Sequence, residues 1–264
     1  MTLMALTLLS GCAMNLAELR SARVLRPGEM QVTQGNNVVV PTSSVGESWK
    51  AAQIISDAEA DAGLLSEEEA LDLVGGATAI ALSSPGYGTF AEYALGLPRR
   101  FEFSARFGNG IYGVGLRKGV SRDQWHANVG IRAAYNGGGS WISYANTLNS
   151  WVDVGKVRRL DLSATAMVGR EWEEWGKLWL GAKAMVSPYT LDIDASAVGL
   201  GETSTSSSMR YVGGFIGGGL GFRYVHFTVE LSVLYASGEL AVFDREYSLR
   251  GLVLAPSWGF QATF

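Results

Sequence analysis

The chain has 264 residues, of which 47% are hydrophobic and 17% charged, against about 25% charged in soluble domains. Formal net charge is −4, and there are 34 glycines, 6 prolines and a single cysteine. These figures argue against a nucleic-acid-binding surface and exclude an intrachain disulfide or a cysteine-built zinc site. No apolar run reaches the ~18 residues of a spanning helix. A chain that crosses a bilayer without one must do so as a closed β-barrel, because backbone N–H and C=O groups have to be paired inside hydrocarbon.

The N-terminus holds the apolar residues Leu3, Met4, Ala5, Leu6, Leu8 and Leu9, followed by Ser10, Gly11 and Cys12. Leu9-Ser-Gly-Cys12 resembles the lipobox of bacterial lipoproteins, in which two small residues let a peptidase approach the backbone before the cysteine. The resemblance implies a signal peptide over 1–11, acylation of Cys12, and a lipidated N-terminal linker over 12–27. Residues 1–8 carry no Lys or Arg, although a signal peptide ordinarily has a basic start. The true start codon is therefore expected upstream. Ala13 and Met14 follow the cysteine, so the Asp that signals inner-membrane retention in enteric bacteria is absent.

From 28 to 40 the chain has a first strand, followed by an insert over 41–88. Within the insert, Ser48 to Val74 carries Ala, Leu, Ile and Glu at helical density, and Ser66-Glu-Glu-Glu69 forms a capping-box signature. One or two short helices are expected there, as a cap on the barrel mouth, as a partial plug, or as a solvated loop. Strict period-two alternation then begins, the mark of strands with two unlike faces. It covers 89–97 and Phe101 to Phe107, with Glu102, Ser104 and Arg106 on the polar face. It continues through Tyr112, Val114 and Leu116, and through Trp125 to Ala133 opposite His126, Asn128, Gly130 and Arg132.

Three later runs are long. Leu160, Leu162, Ala164, Ala166 and Val168 alternate with Asp161, Ser163, Thr165 and Met167. Leu178, Leu180, Ala182, Ala184 and Val186 oppose Trp179, Gly181, Lys183 and Ser187. Phe227, Val229, Leu231, Val233 and Tyr235 oppose His226, Thr228, Glu230 and Ser232, after a glycine-rich strand over 209–224. A tilted strand needs about 9–11 residues to cross a membrane, whereas soluble strands typically have about five or six. Length favours the membrane.

The chain ends Trp258-Gly-Phe260-Gln-Ala-Thr-Phe264. Alternating apolar residues up to a terminal Phe resemble the signal that barrel-assembly machinery recognises, with Trp258, Phe260 and Phe264 as its residues. Connections alternate in length. Short ones fall near 98–99, 118–124, 171–176 and 224–225, and longer ones near 136–156, 194–208 and 242–248, as with periplasmic turns and outer loops. The expected fold is all-β: a closed antiparallel transmembrane barrel over 28–264 with about ten strands (eight to twelve), carrying the short helical insert after the first.

The inward faces hold Glu92, Glu102, Arg106, Arg117, Arg132, Asp161, Lys183 and Glu230. In a narrow barrel such charges are expected to pair and fill the lumen; an arginine-lined constriction for small anions is the alternative. No metal, cofactor or phosphate-loop motif is present, and Gly217-Gly218-Gly219 lies within a strand pattern. Only His126 and His226 offer imidazoles. Thr228 lies two residues from His226 on one strand face, about 7 Å away by strand rise, too far for a nucleophile–base hydrogen bond. No catalytic residue is assigned and no enzyme is expected.

Taken together the residues resemble outer-membrane β-barrel lipoproteins of Gram-negative bacteria. That resemblance implies outer-membrane lipid, barrel-assembly machinery, and lipoprotein-processing and sorting machinery as partners. The expected role is structural or small-solute transport, porin-like. A surface interaction protein using its loops and the 41–88 insert is the alternative, and a lipid-modifying barrel enzyme a distant third.

Overall fold

A computed structural model of the chain describes residues 16–42, 66–82, 86–108, 110–136, 153–172, 175–243 and 245–264. The expected signal peptide, Cys12, residues 137–152 of the expected 136–156 connection and residues 43–65 and 83–85 of the insert lie outside these. The described strands are β1 (Met30–Pro41), β2 (Gly86–Leu97), β3 (Phe101–Gly108), β4 (Ile111–Arg122), β5 (Trp125–Asn136), β6 (Asp153–Trp172), β7 (Gly176–Ala195), β8 (Gly201–Phe222), β9 (Val225–Val242) and β10 (Arg245–Thr263). Each pairs antiparallel with its sequence neighbours. The ring closes where β1 meets both β2 and β10, through Gln31 opposite Ala94 and Thr263. At the seam, Met30 and the terminal Phe264 exchange both backbone hydrogen bonds, at 3.0 and 2.8 Å. Closure removes every free edge at the level of the apolar belt, which makes the sheet there compatible with hydrocarbon.

Alternation sorts side chains as the sequence suggests. On β9, Phe227, Val229, Leu231, Val233 and Tyr235 are 38–50% exposed outward, while His226, Thr228, Glu230 and Ser232 point inward at 8% or less. The same outward belt continues through Leu160 and Leu162 on β6, Leu178 to Val186 on β7 and Val212 to Phe222 on β8. Trp125, Trp175 and Tyr224 stand at its lower edge, beside the turns that lead into β5, β7 and β9, where amphipathic rings favour the headgroup level. The molecule is an integral barrel of the outer-membrane type.

The strands are unequal. β1 to β5 have 8–12 residues, β6 to β10 have 18–22. Half of the ring therefore continues well past the apolar belt as a raised wall. The sequence reading placed long outer loops at 194–208 and 242–248. These are instead strand, with tight links between Ala195 and Gly201 and between Val242 and Arg245. Their Ser, Thr and Gly content resembles loop composition, but cross-strand pairing satisfies the backbone.

In the raised wall the polarity of the two faces is exchanged. On β7 the outward residues become Thr190, Asp192 and Asp194, while Tyr189, Leu191, Ile193 and Ala195 turn inward and are buried. Leu234, Ala236, Leu240 and Val242 on β9 and Leu249, Val253 and Ala255 on β10 complete an apolar interior. Water outside and a filled inside demand this inversion.

The filler is α1 (Glu67–Leu82). Its capping box forms as expected: Ser66 N donates to Glu69 Oε2 at 2.8 Å and Glu69 N donates to Ser66 Oγ at 3.3 Å. These bonds hold the Glu69 carboxyl below the usual carboxylate range. Leu73, Val74, Ala77 and Leu82 pack into the apolar interior of the wall. Tyr247 Oη donates to Leu71 O at 2.7 Å, and Asp72 pairs with Arg245 at 3.0 Å. Of the three positions considered for the insert, α1 takes the plug.

Leu191→Ala is expected to lower stability by about 2–5 kcal/mol, because Leu191 fills the inverted core. Glu202→Ala on the outward face is expected to stay within about 0.5 kcal/mol. Urea unfolding midpoints of the refolded barrel in detergent check both.

Candidate functional site: a charged lumen threaded by the N-terminal segment

The belt-level lumen is occupied by the chain itself. Residues 16–25 run through it as an irregular extended segment, with Leu16, Ala17, Glu18, Leu19 and Arg20 at 2% exposure or less. The direction is defined by contacts. Leu16 joins the apolar cluster of α1 at the outer side, and Glu18 lies at the level of Arg132 and Lys183. Val24 lies against Gly119 of β4, and Arg26 against Gly96 at the foot of β2. The chain thus descends to the rim opposite the raised wall, turns at Pro27-Gly28, and rises again as β1.

A segment in this position has no strand to pair with, so its backbone must be satisfied by wall side chains. Glu230 accepts from Glu18 N at 2.8 Å and Leu19 N at 2.9 Å. Glu102 accepts from Leu25 N at 3.1 Å. Lys183 donates to Leu16 O at 3.0 Å, Arg106 to Ala17 O at 2.6 Å, and Gln261 to Leu19 O at 3.1 Å. Arg117 donates to Ser21 O at 3.1 Å and Asn128 to Ala22 O at 2.7 Å. Space is made by inward glycines: a Cβ on Gly169 of β6 would stand 3.0 Å from that of Ala22, and one on Gly119 would stand 3.2 Å from that of Val24.

The segment's own charges complete an ionic layer. Glu18 pairs with Lys183 at 2.9 Å and Arg132 at 3.1 Å. Arg20 bridges Glu92 at 3.1 Å and Glu102 at 2.7 Å. Glu92 also pairs with Arg106 and, at 3.2 Å, with Arg132. Arg117 grips Glu102 through two nitrogens, Nε at 3.0 Å and Nη2 at 2.8 Å. Trp179 Nε1 donates to Glu230 at 3.1 Å.

Of the eight charges expected in the lumen, seven meet in this layer: Glu92, Glu102, Arg106, Arg117, Arg132, Lys183 and Glu230. Asp161 does not; it pairs with Arg159 at 2.9 Å, two residues away on β6. Glu18 and Arg20, at the centre of the network, were missed because nothing in their sequence marks residues 16–25 as interior. Buried charges are tolerated only in a complete network, since removing one partner leaves another uncompensated.

One histidine contact was not anticipated from the sequence. His126 Nδ1 lies 2.9 Å from Ser121 Oγ, so one histidine does touch a hydroxyl. Spacing along one strand overlooked the cross-strand partner, for Ser121 and His126 are paired across the turn at Asp123-Gln124. Among the described residues, Ser121 is the hydrogen-bond partner of His126. Trp258 and Phe260 of the expected assembly signal face lipid on β10, and Phe264 closes the seam.

Arg106→Met is expected to destabilise the barrel by about 3–5 kcal/mol, because the buried Glu92 loses one of its three cationic partners and the buried Ala17 O loses its donor. Arg210→Met on the outward wall face is expected to change it by less than about 0.5 kcal/mol. Denaturation of both variants in one detergent makes the comparison.

No family model and no curated protein matches the chain. Among solved structures, it is similar to the attachment invasion locus protein Ail of Yersinia pestis, with 10% identity over 90% of this chain and 100% of that one and a TM-score of 0.36. OprG of Pseudomonas aeruginosa matches with 8% identity over 92% and 98% of the two chains and a TM-score of 0.38. The outer-membrane protease OmpT of Escherichia coli matches with 8% identity over 92% and 100% and a TM-score of 0.40. Scores at this level carry no argument about what the chain does.

Proposed function

We propose that the protein is an outer-membrane barrel closed to passive diffusion in its resting state, with a structural role and an interaction surface on its raised wall. The observation that supports this most is the double filling of its interior, by residues 16–25 at belt level and by α1 above. A porin-like role for the resting molecule has no comparable support. The wall formed by β6 to β10 presents Thr190, Asp192, Glu202, Ser204, Ser206, Ser208 and Glu239 outward beyond the belt. Such a rigid polar sheet face suits recognition of another macromolecule.

An enzyme remains outside the proposal. Ser121 and His126 sit at the periplasmic turn, and a hydroxyl–imidazole pair needs an orienting third group and an oxyanion site to act as a nucleophile. Lipid attachment at Cys12 is retained on the strength of the Leu9–Cys12 motif. Three residues separate Cys12 from the buried Leu16, a reach of at most about 14 Å over the four steps.

In planar bilayers the purified protein is expected to show no stable openings; large steady steps would remove the closed-barrel reading. Ser206→Cys in a Cys12→Ser background is expected to react with an impermeant maleimide on intact cells, whereas Ser187→Cys, facing the lumen, is expected to stay unlabelled. Palmitate labelling that is lost in Cys12→Ala tests the anchor separately.

A further inference from the structure

The walls of the belt-level lumen are not neutral. Arg106, Arg117, Arg132, Lys177 and Lys183 point inward from β3, β4, β5 and β7, against Glu92, Glu102, Glu171 and Glu230 from β2, β3, β6 and β9. Cations outnumber carboxylates. Three of these cations are directed at the oxygens of the threaded segment, Lys183, Arg106 and Arg117 each donating to one of its carbonyls, while Lys177 donates to the wall's own Gln261 Oε1 at 2.5 Å. The carbonyls act as the anions of this layer.

Nothing in the barrel's strand ladder depends on that segment. Its bonds to the wall are made by side chains, so it can leave without breaking a strand pair. An extended chain occupies a cross-section of roughly 5 Å by 10 Å, and its departure would leave a channel of that order lined by these five cations and four carboxylates, with one positive charge in excess. Above it lies a second, chemically different seal: α1, held by apolar contacts, Tyr247 and the Asp72–Arg245 pair. The two seals touch through Leu16, which belongs to the cluster of α1.

We propose that the lumen is an anion-selective passage closed by two seals in series, residues 16–25 and α1, and that small inorganic or carboxylate anions cross when both are displaced. This goes beyond the surface role and is independent of any partner of the wall. Seals in series make a specific demand: releasing either one leaves the passage closed, and releasing both opens it.

The experiment uses the full chain reconstituted in planar bilayers under a potassium chloride gradient. Glu18→Arg with Arg20→Glu places like charges against Lys183 and Arg132 and against Glu92 and Glu102, expelling the first seal. Replacing Glu67–Leu82 by a Gly-Ser linker removes the second. Wild type and each single release are expected to be silent. The combined chain is expected to conduct, with chloride permeating several-fold better than potassium. A combined chain that shows the gel shift of a folded barrel yet stays closed, or that favours potassium, overturns the proposal. Steady opening by either release alone overturns the series arrangement. If the combined chain does not fold, wild-type protein is exposed to urea in the bilayer, since side-chain-held seals should loosen before the strand ladder. Reversible chloride-selective opening supports the passage, and a barrel that persists closed up to its own unfolding rejects it.

Discussion

A peptide carried through the inside of a β-barrel has no sheet to join, and that constraint organises the whole interior. Each buried N–H and C=O of residues 16–25 must find a partner, and only side chains on the wall can supply one. Carboxylates are placed where amides arrive, as Glu230 is for Glu18 and Leu19, and guanidinium or ammonium groups where carbonyls arrive. Because the wall side chains that serve best are charged, they also require one another. The ionic layer is therefore the means by which a non-sheet segment is accommodated at membrane depth.

The same molecule solves a second problem in the opposite way. Past the belt the outside is water, so the raised half of the ring cannot keep apolar residues outward, and its interior cannot rely on lipid to justify a polar lining. The faces exchange polarity, and α1 supplies the apolar partner that a one-sided sheet needs. Two filling strategies thus meet at Leu16: ionic and hydrogen-bonded below, apolar above.

Much of this was legible in the sequence. Period-two runs in β6, β7 and β9 announced their membrane-crossing stretches and faces but not their full length, and the inward positions of Glu92, Arg106 and Lys183 followed from alternation alone. The polarity inversion also left a trace. On β7 the apolar residues occupy even positions from Leu178 to Val186 and odd positions from Tyr189 to Ala195, a phase reversal that marks the edge of the belt. Reading composition in place of phase turned 194–208 into a loop. The capping box at Ser66 gave the start of α1 but not its location, because a local bond pattern is the same inside a barrel as outside. Residues 16–25 were opaque for a deeper reason. A segment held by side chains of many strands needs no periodicity of its own, and Leu16, Glu18 and Arg20 make sense only once the wall is built around them.

The central claim is that this segment sits inside the ring, and disulfide trapping tests it most directly. With Cys12→Ser removing the native thiol, Val24→Cys is combined with Gly119→Cys, whose Cβ would lie 3.2 Å from that of Val24 on the lumen side. It is combined in parallel with Val120→Cys, one residue on and facing lipid at 62% exposure. Mild oxidation is expected to cross-link the first pair nearly completely and leave the second as free thiols. A folded barrel in which the Gly119 pair stays reduced, or in which both pairs link equally, would contradict a segment threaded through the lumen.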